Sequence, residues 1–166
     1  MKKNRLPISF SLVKRGKTTI YIKNAWKEWL IAQGIEKPDT LLKNKKSVFF
    51  YRGRDPVVSV PINDATGGRI VIKHYTHGGL TRIFNRDIFW GKIRPLRELF
   101  FIEKVILLNI PTYEVLAVVI HKMPGFFYRA DLITKEISNG VDLKTYLENL
   151  SNEQNRTIIK KKREVI

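Results

Sequence analysis

The chain has 166 residues, a formal net charge of +16 at pH 7 and no cysteine. The length fits one domain with an extension, and 43 % hydrophobic residues suffice for a core, which argues against global disorder. The lack of cysteine excludes disulfides, thiolate catalysis and cysteine-ligated zinc. The longest apolar stretch, around Val115–Ile120, is too short to span a bilayer, and no apolar segment follows the basic start. We therefore expect neither a membrane-spanning helix nor a signal peptide.

The first part of the chain is predicted to form a hairpin and a helix. Two strands, Ile8–Val13 and Thr18–Lys23, flank a turn that contains a glycine. A helix over Trp26–Gln33 follows, with Asn24 as its expected cap and Gly34 where it would end. Residues 1–46 carry 12 basic and 3 acidic side chains, so this part is the most basic of the chain.

The middle of the chain is predicted to form an antiparallel sheet with one long helix. The expected strands are bounded by turn residues and are Ser47–Tyr51, Val57–Ile62, Arg69–Tyr75, Tyr113–His121 and Phe126–Ile137. The segment Leu80–Gly91 is expected to be irregular or helical. A helix with Pro95 in its first turn runs to about Leu108 and ends before Pro111.

Two amphipathic helical patterns close the sequence. The first covers Asp142–Leu150, with Asp142 as its cap, and the second opens over Asn155–Ile166. We interpret the second as the start of a longer helix, because no cap, glycine or proline follows its periodic pattern.

Lys73, on the third central strand, is the residue that most clearly suggests chemistry. A strand lysine supplies a compact cation for phosphate oxygens, and it needs a carboxylate to hold it. Glu98, near the start of the long helix, is the best candidate, and Glu103 is the second candidate on another face of that helix. The alternative is an ordinary strand-edge lysine with a solvated glutamate.

The remaining candidates are weaker. Gly53 lies between two strands, where a loop could bend over phosphates, or it could belong to a plain hairpin. His74 and His77 would face opposite sides of a strand, so we expect no metal site there. The net charge alone also fits a basic surface that attracts nucleic acid or an anionic membrane.

Several short motifs together resemble the lipopolysaccharide kinases, and most of all the 3-deoxy-D-manno-octulosonic acid (Kdo) kinases. The resemblance covers nearly the whole chain. The residues that carry it are Tyr51-Arg52-Gly53-Arg54, Ile72-Lys73-His74-Tyr75-Thr76-His77-Gly78-Gly79, Arg97-Glu98, Pro111-Thr112-Tyr113-Glu114 and Tyr128-Arg129-Ala130-Asp131-Leu132-Ile133-Thr134.

The resemblance implies an α+β fold, namely a protein-kinase-like amino-terminal lobe with a five-stranded antiparallel sheet and a C-type helix. It implies a basic hairpin–helix extension over residues 1–46, the lobe over residues 47–140, and a helix with the start of a second lobe over residues 141–166. Lys73 would contact ATP phosphates and Glu98 would pair with it. Gly53 and Arg54 would lie in the phosphate loop, and backbone groups of Lys135, Glu136 and Ile137 would meet adenine.

The resemblance also implies an activity. Family members phosphorylate a sugar of the lipopolysaccharide inner core, using ATP and Mg²⁺, at the cytoplasmic face of the inner membrane. Expected partners are therefore a Kdo–lipid A type glycolipid and the anionic membrane surface, with no specific nucleic acid. No catalytic-loop aspartate or metal-binding residue of the family pattern follows the hinge region, so we expect the chain alone to be inactive. The alternative is a non-catalytic basic module that binds nucleic acid or an anionic membrane.

Overall fold

The computed structural model describes residues 6–37, 57–62, 68–77, 87–138, 140–141 and 146–151, together with the backbone of residues 49–51. Residues 1–136 form one compact unit and residues 137–166 form a second. Among the described residues of the second unit, residues 146–151 are helical, which overlaps the predicted Asp142–Leu150 helix and extends one residue beyond it. Asp142 itself and the predicted Asn155–Ile166 helix lie outside the described residues. No described helix is long and apolar enough to cross a membrane.

The first unit is built on one antiparallel sheet, which confirms the expected α+β class. Its strands, in chain order, are β1 (Phe10–Arg15), β2 (Thr18–Lys23), β3 (Phe49–Tyr51), β4 (Val57–Pro61), β5 (Arg69–His74), β6 (Phe89–Trp90), β7 (Val115–Lys122) and β8 (Phe127–Lys135). They are ordered β1-β2-β7-β8-β5-β4-β3, and the short β6 also pairs with β8.

The amino-terminal hairpin belongs to this sheet. We expected five strands preceded by a separate hairpin and helix, whereas β2 pairs with β7, so that the two hairpin strands join the sheet. With β6, which pairs with β8, the sheet has eight described strands. The pairing aligns Ile20 with Val119 and Ile22 with Ala117, and all four side chains are buried. The hairpin thus covers the edge of β7 and extends the core. Without it, β7 would expose unpaired backbone groups and apolar side chains at the edge of the sheet.

The strands place alternate residues on two faces, each with its own core. On one face, Ile20, Ile70 and Ile133 pack with Leu30 of the first helix. On the other face, Val118 and Leu132 pack with the second helix. Lys73 lies beside Leu132 in the pairing of β5 with β8, so it belongs to the second face.

The first helix is shorter than predicted. A 3₁₀ turn over Asn24–Trp26 precedes α1 (Lys27–Ala32). Asn24 does not cap the helix, because its amide donates to the carbonyl of Ile8 and its carbonyl oxygen bonds the Ser11 hydroxyl. Gly34 lies after the end of the helix, as predicted, and its φ of +76° is the left-handed conformation that favours glycine at a helix end.

The second helix, α2 (Arg94–Leu107), begins and ends close to the predicted positions. Pro95 lies in its first turn, where a missing backbone N–H costs nothing. Leu99 and Ile102, three residues apart, are buried against the sheet. Asn109 follows the helix with φ +56°, which fits an asparagine after a helix end.

The segment before α2 differs from its prediction. We expected Leu80–Gly91 to be irregular or helical, but Phe89 and Trp90 form β6 opposite Tyr128 and Phe127. A two-residue strand has no alternation that a sequence can reveal. The part of this segment before residue 87 lies outside the described residues.

The position of the hairpin gives a stability prediction. Replacing Ile20 by alanine should lower the free energy of unfolding by about 2–5 kcal/mol, because the side chain is fully buried between β7 and α1. Leu12→Ala, on the half-exposed side of β1, should cost less than about 1 kcal/mol. Urea denaturation of both variants measures the difference, and equal stabilities would contradict the placement of the hairpin in the core.

Candidate functional site

The predicted pair of charges comes together where α2 crosses β5. Strand β5 presents Lys73 on the face that α2 covers, and Glu98 occupies the first turns of α2. The Nζ atom of Lys73 lies 3.8 Å from Oε1 of Glu98, and the Lys73 side chain is 48 % exposed. This distance is longer than a hydrogen bond, so the pair is electrostatic and the ammonium protons are not shared with the carboxylate.

Two phenols hold the Glu98 carboxylate in place. The Tyr75 hydroxyl donates to Oε2, and the Tyr113 hydroxyl donates to Oε1 over 2.6 Å. Burial, and then the hydrogen bond to Glu98, raise the pKa of both tyrosines well above the usual value of 10. Both phenols therefore stay protonated at neutral pH and remain donors.

The lysine is also positioned by an aromatic ring. Its Nζ atom lies 5.1 Å from the centre of the Tyr75 ring, a distance at which a cation is attracted to the ring face. Tyr75 therefore contacts both members of the pair. The arrangement can present a cation, held on one side by a fixed carboxylate, to an anionic group from solvent.

Sequence reasoning identified Lys73 and Glu98 but missed the two tyrosines. Tyr75 lies two positions after Lys73, and this spacing places both on one face of an extended chain. Tyr113 lies inside one of the motifs that carried the resemblance. No pattern in a single sequence shows that both would reach one carboxylate.

Glu103, the second candidate for pairing with Lys73, has other partners. It accepts a hydrogen bond of 2.9 Å from the Ser9 hydroxyl and lies 3.9 Å from Lys23. Lys23 in turn contacts Glu114 at 2.7 Å. Glu103 thus joins α2 to the amino-terminal hairpin and does not take part in the Lys73 site.

The other predicted nucleotide contacts are only partly described. Gly53 and Arg54 lie outside the described residues. The backbone N–H of Lys135 donates to Glu114, and that of Glu136 donates to Arg69, each over 2.9 Å. These two N–H groups are therefore engaged in the sheet.

The side chain of Glu136 also has structural partners. It accepts from the Ser59 hydroxyl and lies 3.4 Å from the Arg69 guanidinium. Ile137 is exposed and belongs to the second compact unit. An adenine-binding role for the Lys135–Ile137 backbone stays a prediction.

The opposite face of β5 carries a polar network that the sequence did not reveal. Asp131, buried on β8, accepts a bond of 2.6 Å from Nδ1 of His74 and lies 3.7 Å from Nε2 of His121. Asp87 lies 3.5 Å from Nε2 of His74 and 3.0 Å from Nε of Arg129. The hydrogen bond to Asp131 raises the pKa of His74 against the opposing effect of burial. This network joins β5, β7 and β8 on the face away from Lys73.

Comparison with known proteins places the chain in a family. The Lipopolysaccharide kinase (Kdo/WaaP) family profile matches residues 53–165, more than half of the sequence. The chain therefore belongs to this family, as its motifs predicted. No solved structure gives a significant match.

Two curated relatives share part of the sequence. A 3-deoxy-D-manno-octulosonic acid kinase from Pasteurella multocida (strain Pm70) is 29 % identical over 101 residues, which cover 58 % of this chain and 42 % of the relative. A protein of the same name from Actinobacillus succinogenes is 32 % identical over 101 residues, which cover 57 % of this chain and 42 % of the relative. The chain thus matches less than half the length of each relative.

The His74–Asp131 contact predicts a pH dependence of stability. Because the folded-state pKa of His74 lies above its usual value of 6.5, its contribution is complete below about pH 6.5 and is lost as pH rises through the raised pKa. As the pH rises from about 6.5 through the raised pKa, the free energy of unfolding of the wild-type protein should therefore fall relative to that of His74→Gln. Urea denaturation across pH measures the slope.

His77→Gln is the matched control, since His77 does not contact Asp131 and donates instead to the Ile88 carbonyl over 2.8 Å. That variant should keep the wild-type slope. The same slope in wild type and His74→Gln would show that the contact does not stabilise the folded state.

Proposed function

We propose that this chain supplies the ATP-binding amino-terminal lobe of a kinase that phosphorylates a Kdo sugar of the lipopolysaccharide inner core. The observation that carries the proposal is the approach of Lys73 to Glu98 within the segment that matches the family. The two relatives, both Kdo kinases by name, support the choice of substrate.

The geometry fits a nucleotide phosphate at Lys73. The ammonium is half exposed and shares no hydrogen bond with Glu98, so its three protons can point to phosphate oxygens. Glu98 keeps the charge in position, and its own oxygens accept from Tyr75 and Tyr113. A fixed cation of this kind costs no rearrangement when the phosphate binds.

The remaining parts of the nucleotide would be held by residues that the resemblance suggests. Gly53 and Arg54 would contact the phosphates, and the backbone of Lys135, Glu136 and Ile137 would meet adenine. Mg²⁺ would bind with the ATP phosphates and supply positive charge there. Among the described residues, no group of three or more histidine or acidic side chains is arranged to hold a metal ion.

The acceptor and location follow from the same proposal. A Kdo-bearing glycolipid lies at the membrane surface, so the kinase would work in the cytoplasm as a peripheral protein on the inner membrane. The charge of +16 suits an acceptor and a membrane that are both anionic.

The nucleic-acid alternative has less support. Besides the net charge, it requires exposed aromatic side chains on which bases can stack, and the sequence offers Trp26, Trp29, Phe89 and Trp90. Trp26 and Trp29 pack against one core of the sheet, and Phe89 is buried in the other. These three rings are therefore buried or packed in the fold, whereas Trp90, another ring of this set, is 78 % exposed.

Transfer of phosphate tests the proposal directly. The full natural protein should move label from γ-labelled ATP to a Kdo–lipid A acceptor in the presence of Mg²⁺. Lys73→Ala should lower this rate by roughly 100-fold or more, because it removes a fixed charge at the phosphates. Scintillation counting of the extracted lipid measures the rate.

Lys14→Ala is the matched control, since Lys14 is an exposed strand lysine on β1. It should retain the wild-type rate. Full transfer activity in Lys73→Ala would rule out the proposed role of this lysine, and failure of the wild-type protein to label Kdo while it labels another sugar would rule out the acceptor.

A further inference from the structure

One end of the sheet presents aromatic side chains to solvent. Trp90 on β6 is 78 % exposed, and Phe126 in the turn between β7 and β8 is 91 % exposed. Phe127 lies opposite Trp90 in the pairing of β6 with β8, and Trp90 and Phe126 line the same open pocket, so Trp90 adjoins both other rings. Exposed rings gathered in this way mark a site of interaction more often than isolated ones do.

The aromatic residues lie beside basic ones. Trp90 and Phe126 line an open pocket of about 580 Å³ together with Lys92, Arg94 and Arg97. Within the part of the chain that the structure describes, none of these three cations forms an ion pair with a carboxylate. We call Trp90, Phe126, Phe127, Lys92, Arg94 and Arg97 the aromatic–basic tip.

Building on the peripheral membrane location in the proposed function, we propose that the aromatic–basic tip is the surface that docks the protein on an anionic lipid bilayer. Tryptophan and phenylalanine rings partition into the boundary between headgroups and acyl chains, while lysine and arginine pair with anionic headgroups. A small soluble anion would satisfy the cations but would leave rings as exposed as Phe126 in water. The rings and the cations of the tip therefore both fit a bilayer, whose surface is anionic and whose interior is apolar.

The shape of the tip also favours a membrane over a folded partner. Gly125, at φ +74°, allows the tight turn that carries Phe126 outward. The near-complete exposure of Phe126 means that few protein atoms surround it, as in a projecting turn. A projecting turn can enter a headgroup layer, whereas stable protein interfaces usually bury about 800 Å² on each side.

The amino-terminal hairpin is a poorer candidate, although its segment is the most basic one in the sequence. Its tryptophans, Trp26 and Trp29, pack against the core. Arg15 is paired with Glu36 at 3.1 Å, and Lys23 is paired with Glu114 at 2.7 Å. The described part of the hairpin therefore offers charge without an exposed aromatic anchor.

Vesicle sedimentation tests the tip. The full chain is mixed with vesicles of phosphatidylcholine alone or with added phosphatidylglycerol, and the bound fraction is measured at fixed ionic strength. Trp90→Ser with Phe126→Ser should lower binding to the anionic vesicles by roughly ten-fold or more. Lys92→Gln with Arg97→Gln should lower it by roughly five-fold for each charge removed.

The matched control removes two exposed lysines from the hairpin, Lys14→Gln with Lys17→Gln. Charges that stay away from the membrane are screened, so this variant should bind within about two-fold of wild type. Unchanged melting temperatures establish that all variants are folded. The emission of Trp90 should also shift to shorter wavelength on anionic vesicles, and Trp90→Phe should remove this shift.

Three results would overturn the proposal. They are equal binding to neutral vesicles, wild-type binding by the folded tip variants, and displacement from vesicles by millimolar inorganic phosphate, which would assign the pocket to a soluble anion. The result of the vesicle experiment can be distinguished from a failure of the kinase proposal, because vesicle binding and ATP binding are measured separately. Lys73→Ala should bind vesicles like wild type, and the tip variants should bind ATP like wild type.

Discussion

The carboxylate of Glu98 joins three separate segments of the chain. It accepts hydrogen bonds from Tyr75, just after β5, and from Tyr113, just before β7, while it is carried by α2. It also faces the ammonium of Lys73. Burial keeps both phenols protonated, so the carboxylate retains two neutral donors whether or not Lys73 engages another anion. The orientation of α2 and the position of the lysine therefore depend on the same group.

The sheet gives this site a rigid base. Strands β7 and β8 lie at its centre, with β2 on one side and β5 on the other. The hairpin is joined to α2 through Lys23 and Glu103, so α2 is attached at its first turns by Glu98 and further along by Glu103. A helix held at two points keeps its carboxylate aligned with β5. The exposed aromatic–basic tip lies next to the start of the same helix, since Arg94 and Arg97 belong to it.

The sequence predicted the features that depend on local patterns, namely helix boundaries and short motifs. Apolar spacing and Pro95 defined α2, Gly34 marked the end of α1, and the motifs around Lys73 and Glu98 indicated the family. It could not show that β2 pairs with β7, because residues about 100 positions apart leave no local trace of pairing. The same limit concealed the contact of His74 with Asp131 and that of Tyr113 with Glu98. The first depends on the register between β5 and β8, and the second on how α2 packs against the chain before β7, which tertiary structure decides.

The central claim is that Lys73 lies at the phosphates of bound ATP, and its most direct test is the position of chemical labelling. An ATP derivative that carries an acyl group on its terminal phosphate transfers this group to a lysine beside the phosphates, and peptide mass spectrometry identifies that lysine. Our account predicts that Lys73 is acylated well above Lys14 and Lys17, and that excess ATP with Mg²⁺ prevents it. Equal labelling of all three lysines, or labelling of Lys73 that ATP does not reduce, would contradict the account.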